Sequence, residues 1–124
     1  MNKLLLSLCI SGLLVGCVST KSPTGRSQTL LFSDAQMQQM GAQSFAAMKK
    51  DQKISQNKSK TAYVNCIAQR ITAVLPDQGQ QWEVVLFESD QVNAFALPGG
   101  HIGVYTGLLN VAVNQDQLAT VMGH

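Results

Sequence analysis

Between residues 60 and 75, apolar side chains recur at Val64, Ile67, Ala68, Ile71, Val74 and Leu75. This is the i, i+3, i+4, i+7 rhythm of one helical face, with Gln69 and Arg70 falling on the other side. Pro76 closes the predicted helix, because proline disfavours the helical conformation in the residue before it. Over residues 81–88 the period becomes two. Trp82, Val84 and Leu86 share one side of a predicted strand, and Val85 and Phe87 the other. Both sides are apolar, so the strand is expected to be covered on both. Residues 92–97 and 101–105 read as two more short strands around Pro98-Gly99-Gly100, which is strong turn chemistry. In the second of these, Ile102 and Val104 point one way and His101, Gly103 and Tyr105 the other.

Helices are predicted at both ends of this region. Ser33 followed by Gln36 is a capping-box pattern that starts a helix over residues 34–50, with Met37, Met40, Ala47 and Met48 as its apolar positions. The methionines read as core filler rather than as a ligand set. After Thr106-Gly107 breaks the last strand, residues 108–113 form a short helix or helical turn. Asn114 then caps a further helix, with Asp116 in its first turn, Gln117 in the capping-box position, and Leu118, Val121 and Met122 on its buried face. No stop signal closes this helix before His124, as expected of a helix cut short. Helix, helix, strand, strand pair, helix, helix start is an α+β order, and the sheet is expected to be three-stranded and mostly antiparallel.

The amino terminus follows another pattern. Met1-Asn2-Lys3 is a short basic start, residues 4–15 are largely apolar, and Gly16 precedes Cys17. This is the layout of a secretory signal peptide, and the run is shorter than the roughly 20 apolar residues of a membrane-spanning helix. Leu14-Val15-Gly16-Cys17 resembles a bacterial lipobox, which makes Cys17 a lipidation site. Acyl chains gain about 0.8 kcal/mol per buried CH₂, and several together make a stable anchor. Val18 stands where an inner-membrane retention signal carries Asp, which by analogy favours the outer membrane, facing the periplasm. The expected organisation is a lipoprotein signal peptide (1–16), a flexible Ser/Thr/Lys/Pro/Gly-rich tether without fixed structure (17–32) and a domain portion (33–124).

Composition adds limits. A chain of 124 residues has room for one domain at most, and a formal charge of +2 is too small to imply a nucleic-acid partner. Lys49, Lys50, Lys53, Lys58 and Lys60 form a basic run interrupted by Asp51. It reads either as a solvated loop or as a patch close to anionic lipid head groups. With Cys9 in the signal peptide and Cys17 blocked, Cys66 is left alone, either a small buried hydrophobe or the partner of a thiol outside this chain.

One resemblance ties these pieces together. Asn93-Ala94-Phe95-Ala96, a glycine-containing turn, Ile102-Gly103-Val104-Tyr105-Thr106-Gly107-Leu108-Leu109, and Asp116-Gln117-Leu118-Ala119-Thr120-Val121-Met122-Gly123-His124 follow in order. The stretch resembles the segment leading into the zinc helix of the gluzincin metalloproteases, peptidase family M48. The lipobox agrees with that family's HtpX-like and LoiP-like lipoprotein branch. The resemblance implies the amino-terminal part of a zincin-like domain, zinc as cofactor, protein or peptide substrates, and a membrane contact through the lipid. Two histidines of a His-Glu-x-x-His helix bind the metal, the glutamate between them acts as general base, and a later glutamate is the third ligand. His124 matches the first histidine; the other three positions have no counterpart in these 124 residues, so no catalytic residue is nominated. In zincins a sheet edge beside the zinc helix pairs with extended substrate. That nominates Asn93, Ala94, Phe95, Gly99 and Gly100 for substrate binding, against the plainer reading that Phe95 is core and the glycines serve the turn. His101 matches no ligand position and reads as an ordinary surface or half-buried residue.

Three functional readings remain in competition. The first is the amino-terminal portion of a periplasmic metalloendopeptidase acting on misfolded or envelope proteins. The second is a non-catalytic lipoprotein with a binding or assembly role. The third is an inactive gene fragment.

Overall fold

The computed structural model describes residues 18–22, 25–76 and 79–124. The expected signal peptide (1–16) and the expected lipidation site, Cys17, lie outside the described residues. The chain divides into two compact units, Met1–Asp34 and Ala35–His124.

In the first unit, β1 (Val18–Lys21) and β2 (Ser27–Leu30) pair antiparallel, Val18 opposite Leu30 and Lys21 opposite Ser27. No fixed structure was expected here. The pairing has local causes: Gly25 takes a φ of 81°, its N–H donates to the Ser22 carbonyl at 2.8 Å, and the Ser22 N–H donates to the Arg26 carbonyl at 2.8 Å. Valine and threonine also suit an extended backbone.

The second unit takes in α1 (Asp34–Asp51) from its second residue on, α2 (Lys58–Thr72), β3 (Glu83–Phe87), β4 (Ala94–Leu97), β5 (His101–Tyr105), α3 (Thr106–Val111) and α4 (Gln115–Gly123). The α+β arrangement and the three strands stand where the sequence pattern puts them. The pairing is mixed rather than mostly antiparallel. The order is β3-β5-β4, with β5 parallel to β3 and antiparallel to β4. The reason is non-local. The connection after β3 leaves room for one strand, and the Pro98–Gly100 turn folds β5 back into that gap. Gly100 serves this turn with a φ of 84°, and a Cβ there would run into the Gln81 carbonyl.

The outer edge of β3 is closed. Ser55 N–H donates to the Leu86 carbonyl at 2.8 Å, Glu88 N–H donates to the Lys53 carbonyl at 2.7 Å, and Ile54 bridges Phe87. Among the described residues nothing of this kind lies along the outer side of β4.

Helices cover both faces of the sheet, as the two-sided apolarity of β3 requires. Phe45 of α1 packs with Phe87 and Tyr105, joined by Met48, Val85, Phe95 and Leu97. The Phe45 and Phe87 rings meet edge to face at 6.1 Å, a favoured aromatic geometry. On the other face Val64 and Ile67 of α2, Leu108 of α3 and Leu118 of α4 pack on Leu86 and Val104. The buried positions of α1 are therefore Gly41 and Phe45, while Met37 and Met40 are exposed, contrary to expectation. Gly41 selects that face: its bare Cα lies against the Pro98 carbonyl, where a methyl group would clash. The second helix ends at Thr72, short of the predicted end, so Val74 is 82% exposed. Cys66 is a free, exposed thiol on α2, not the buried hydrophobe expected. No helix among the described residues is long and apolar enough to cross a membrane.

Candidate functional site

The helix that carries the chain to His124 is built as its sequence indicates. Asn114 is extended, and its side chain accepts from the Gln117 N–H at 2.9 Å. The Gln117 side chain answers by accepting from the Val113 N–H at 2.9 Å, one residue before the usual capping-box donor. Asp116 sits in the first turn, where the helix dipole favours negative charge. Leu118 is fully buried and pins α4 to the sheet and α2, with Ala119 and Met122 packed partly against the same core. His124 follows directly on Gly123 and is exposed.

His124 contributes one nitrogen donor. Among the described residues no three His, Cys, Asp or Glu side chains come together as a metal site. A zinc centre takes three or four protein ligands, so these residues alone do not fit one.

The nominated strand β4 lies beside the end of this helix. Tyr105 N–H donates to the Asn93 carbonyl at 3.1 Å. With Phe95 opposite Gly103 and Leu97 opposite His101, Asn93, Phe95 and Leu97 therefore direct their backbone groups toward β5. Ala94 and Ala96 direct theirs outward, along the uncovered edge. Asn93 Oδ1 accepts from the Ala94 N–H at 2.9 Å, which leaves the Ala96 N–H and the carbonyls of Ala94 and Ala96 facing out. Phe95 lays its ring over Gly103, where a Cβ would collide with it.

The alanine side of β4 opens on a cavity of about 230 Å³. Ala94, Ala96 and Ile102 line it from the sheet, Ile71 and Leu75 from α2 and the turn after it, and Val121, Met122 and Gly123 from α4. Trp82 completes its apolar wall. Ala94, Phe95 and the residue preceding His124 are thus brought together around one space. Gly99 and Gly100 are not. They sit in the turn beyond Leu97, where positive φ values of 92° and 84° and close backbone neighbours account for them.

His101 lies on the opposite face of the sheet from α4. Its Nδ1 is 3.1 Å from Glu83 Oε2, and its ring stacks on Phe45 at 5.1 Å. Lys49 of α1 donates to the other Glu83 oxygen and lies 5.3 Å from the centroid of the Phe45 ring. The Lys49 hydrogen bond holds the Glu83 carboxyl below its ordinary value; the His101 bond acts the same way, and partial burial opposes them. This network ties α1 to β3 and β5 and was not anticipated. The alternation of β3 puts Glu83 on the same face as Val85 and Phe87, but its parallel register with His101 has no local signal. The basic run is partly spent in the same way: Lys53 pairs with Glu88 and lowers that carboxyl as well.

Residues 58–124, from α2 through His124, match peptidase family M48. The chain is 33% identical to the mitochondrial metalloendopeptidase OMA1 of Danio rerio over 82% of its own length and 23% of the relative's. It is 30% identical to the mitochondrial metalloendopeptidase OMA1 of Arabidopsis thaliana, covering 89% of this chain and 23% of the relative. It is 31% identical to the beta-barrel assembly-enhancing protease of Escherichia coli (strain K12), covering 52% and 13%. The chain spans less than a quarter of the length of these relatives. The matched segment contains the whole three-stranded sheet and the capped helix that ends in Met122-Gly123-His124, and by that match the chain belongs to peptidase family M48.

Proposed function

We propose that this chain is the amino-terminal portion of a zinc-dependent metalloendopeptidase that takes an extended polypeptide along β4. His124 is the first metal ligand, and the remaining ligands and the general base come from outside these 124 residues. Cys17 is lipidated and holds the protein in the bacterial outer membrane facing the periplasm, with residues 17–32 as the tether, and the role is envelope protein quality control. The observation that carries this reading is the open edge of β4, whose outward backbone groups at Ala94 and Ala96 lie beside the end of the helix bearing His124. An edge of this kind grips a substrate through its main chain, whatever the substrate's sequence. Family membership and relatives named as metalloendopeptidases support the same reading.

The test compares the natural gene product with its His124→Ala variant for zinc content and for cleavage of an unfolded protein. The expected result is roughly one zinc per chain in the parent, with both zinc and cleavage lost in the variant while its circular dichroism is unchanged. A variant that retains both refutes the assignment of His124. Labelled palmitate incorporated by the parent and not by Cys17→Ser tests the anchor. A second reading, a non-catalytic binding lipoprotein, draws on the lack of a metal-binding cluster among the described residues. Peptide binding without zinc or cleavage in the parent protein decides for it.

A further inference from the structure

Strand β4 is paired on one side only, so its alignment depends on β5 and on the Pro98–Gly100 turn that joins the two. Two neighbours hold that turn. The backbone of α1 lies against it: the Pro98 carbonyl faces the bare Cα of Gly41, and the Gln38 carbonyl is 3.3 Å from where a Cβ of Gly99 would stand. The segment entering β3 holds it as well. There the Glu83 N–H donates to the Gly100 carbonyl at 2.8 Å, and the Gln81 carbonyl closes on the bare Cα of Gly100.

Glu83 is where the two holds meet. One of its carboxylate oxygens accepts from Lys49 of α1, and the other lies 3.1 Å from His101 Nδ1, at the start of β5. With its N–H on the turn, a single residue bonds to α1, to β5 and to the connection between β4 and β5. Phe45, one helical turn before Lys49, stacks on the His101 ring and seats the same junction. Stability does not account for the arrangement. The Lys49 and Glu83 side chains remain 32% and 42% exposed, and ion pairs in contact with that much water contribute little to folding. What a carboxylate with a different partner on each oxygen does supply is geometry, because it fixes how far α1 stands from the first residues of β3 and β5.

We propose that Glu83 is a positioning residue for the polypeptide taken up on β4. Through Lys49 and His101 it sets how α1 sits on the sheet, and through the turn it sets the line of the outward groups at Ala94 and Ala96. The inference rests on the reading of β4 given above. An edge strand already held in line presents its hydrogen-bonding groups in register, so an incoming polypeptide does not have to order it. Glu83 shares the face of Val85 and Phe87, away from α4, so it is not a catalytic residue. Its loss weakens the hold on substrate and transition state alike, which raises KM and leaves kcat.

The experiment follows cleavage of a fluorescein-labelled casein, an unfolded protein, by the natural gene product and its variants. Amide hydrogen exchange of residues 92–100, read by mass spectrometry, reports on β4 and the turn without reference to activity. Glu83→Ala and Lys49→Ala are each expected to raise KM roughly tenfold, the scale of one lost hydrogen bond, with kcat within about twofold of the parent and faster exchange over residues 92–100. The double variant is expected to be no worse than Glu83→Ala, since both changes remove one shared contact. Glu83→Gln keeps an acceptor for Lys49 and a donor for His101, and is expected to recover most of the loss. Lys53→Gln breaks the comparable pair with Glu88 at the far end of β3, away from the turn, and is expected to leave KM and exchange as in the parent. Circular dichroism confirms the fold of each variant. If Glu83→Ala leaves KM unchanged, or Lys53→Gln raises it equally, the positioning role is overturned and Glu83 is a structural contact only. Ala96→Pro removes an outward N–H without breaking the pairing to β5. If that variant keeps the parent's KM, the β4 reading itself fails and this inference falls with it.

Discussion

Leu118→Ala is the substitution that most directly probes how α4 is held. Leu118 is 0% exposed and sits among Val64 and Ile67 of α2, Leu86 and Val104 of the sheet, and Leu108 and Ala112. Truncation removes a side chain packed among residues of α2, α3 and two strands, and the sheet beneath it cannot move in to fill the space. Leucine-to-alanine changes at such sites cost about 2–5 kcal/mol, and the tight surroundings place this one at about 3 kcal/mol or more. For a domain of this size each kcal/mol shifts Tm by roughly 4–8 °C, so a loss of about 12 °C or more is expected. The assay is thermal unfolding followed by circular dichroism, with Val121→Ala as the reference. Val121 lies on the same helix but is 44% exposed, and its truncation is expected to cost under about 1 kcal/mol. If the two variants melt within about 3 °C of each other, α4 is not anchored through Leu118. The placement of the end of α4 beside β4 would then lose its physical basis.

Other expectations follow from single contacts. Gly41→Ala puts a methyl group into the Pro98 carbonyl and should destabilise by about 1–3 kcal/mol, an overpacking cost, measurable by urea unfolding. Asn114→Ala removes the acceptor for the Gln117 N–H and should cost about 1 kcal/mol by the same measurement. Glu83 has a folded-state pKa below its ordinary value of 4.5, so its contribution to stability is present above that value and lost as pH falls through the folded value. Between parent and Glu83→Gln the stability difference should therefore shrink on acidification below about pH 4.5, and a constant difference would refute the network. Cys66, exposed and free, should react with a thiol reagent in the folded protein at the rate of an unfolded control; strong protection would contradict its position on α2.

What could be read from the sequence was whatever has a local cause. The Asn114 cap, the 3.6-residue rhythm of Val64, Ile67 and Ala68, and the two-residue rhythm of Val84 to Phe87 each act within a few positions, and each element stands within a few residues of where those patterns put it. The β1-β2 hairpin is an exception, local in cause at Gly25 yet not expected from a Ser- and Thr-rich stretch; the other failures occurred where a distant partner decides. Met37 and Met40 lie on the expected helix, but the face that turns inward was chosen by Gly41 meeting Pro98, a contact across 57 residues with no periodic trace. The parallel pairing of β3 with β5 is likewise invisible until the Pro98–Gly100 turn places β5 between two earlier strands. Glu83 and His101 become a pair for the same reason: the register puts them opposite each other, and nothing near either residue announces it.

The candidate site combines both kinds of cause. Asn93, Ala94 and Phe95 were nominated from the motif, as were Gly99 and Gly100, which lie in the turn beyond it, but the open edge of β4 belongs to the whole sheet. Residues 53–55 close the edge of β3 with backbone bonds, and β5 is enclosed between two strands, so within the three-stranded sheet the outward backbone groups fall on β4. An open edge is a hazard, because it pairs with any extended chain. Here it is short, at Ala94–Leu97, and one of its outward donors is already held by the Asn93 side chain. Those two restraints limit indiscriminate pairing and leave the groups at Ala96 beside the apolar cavity. The main-chain groups that remain outward do not themselves distinguish one extended polypeptide from another.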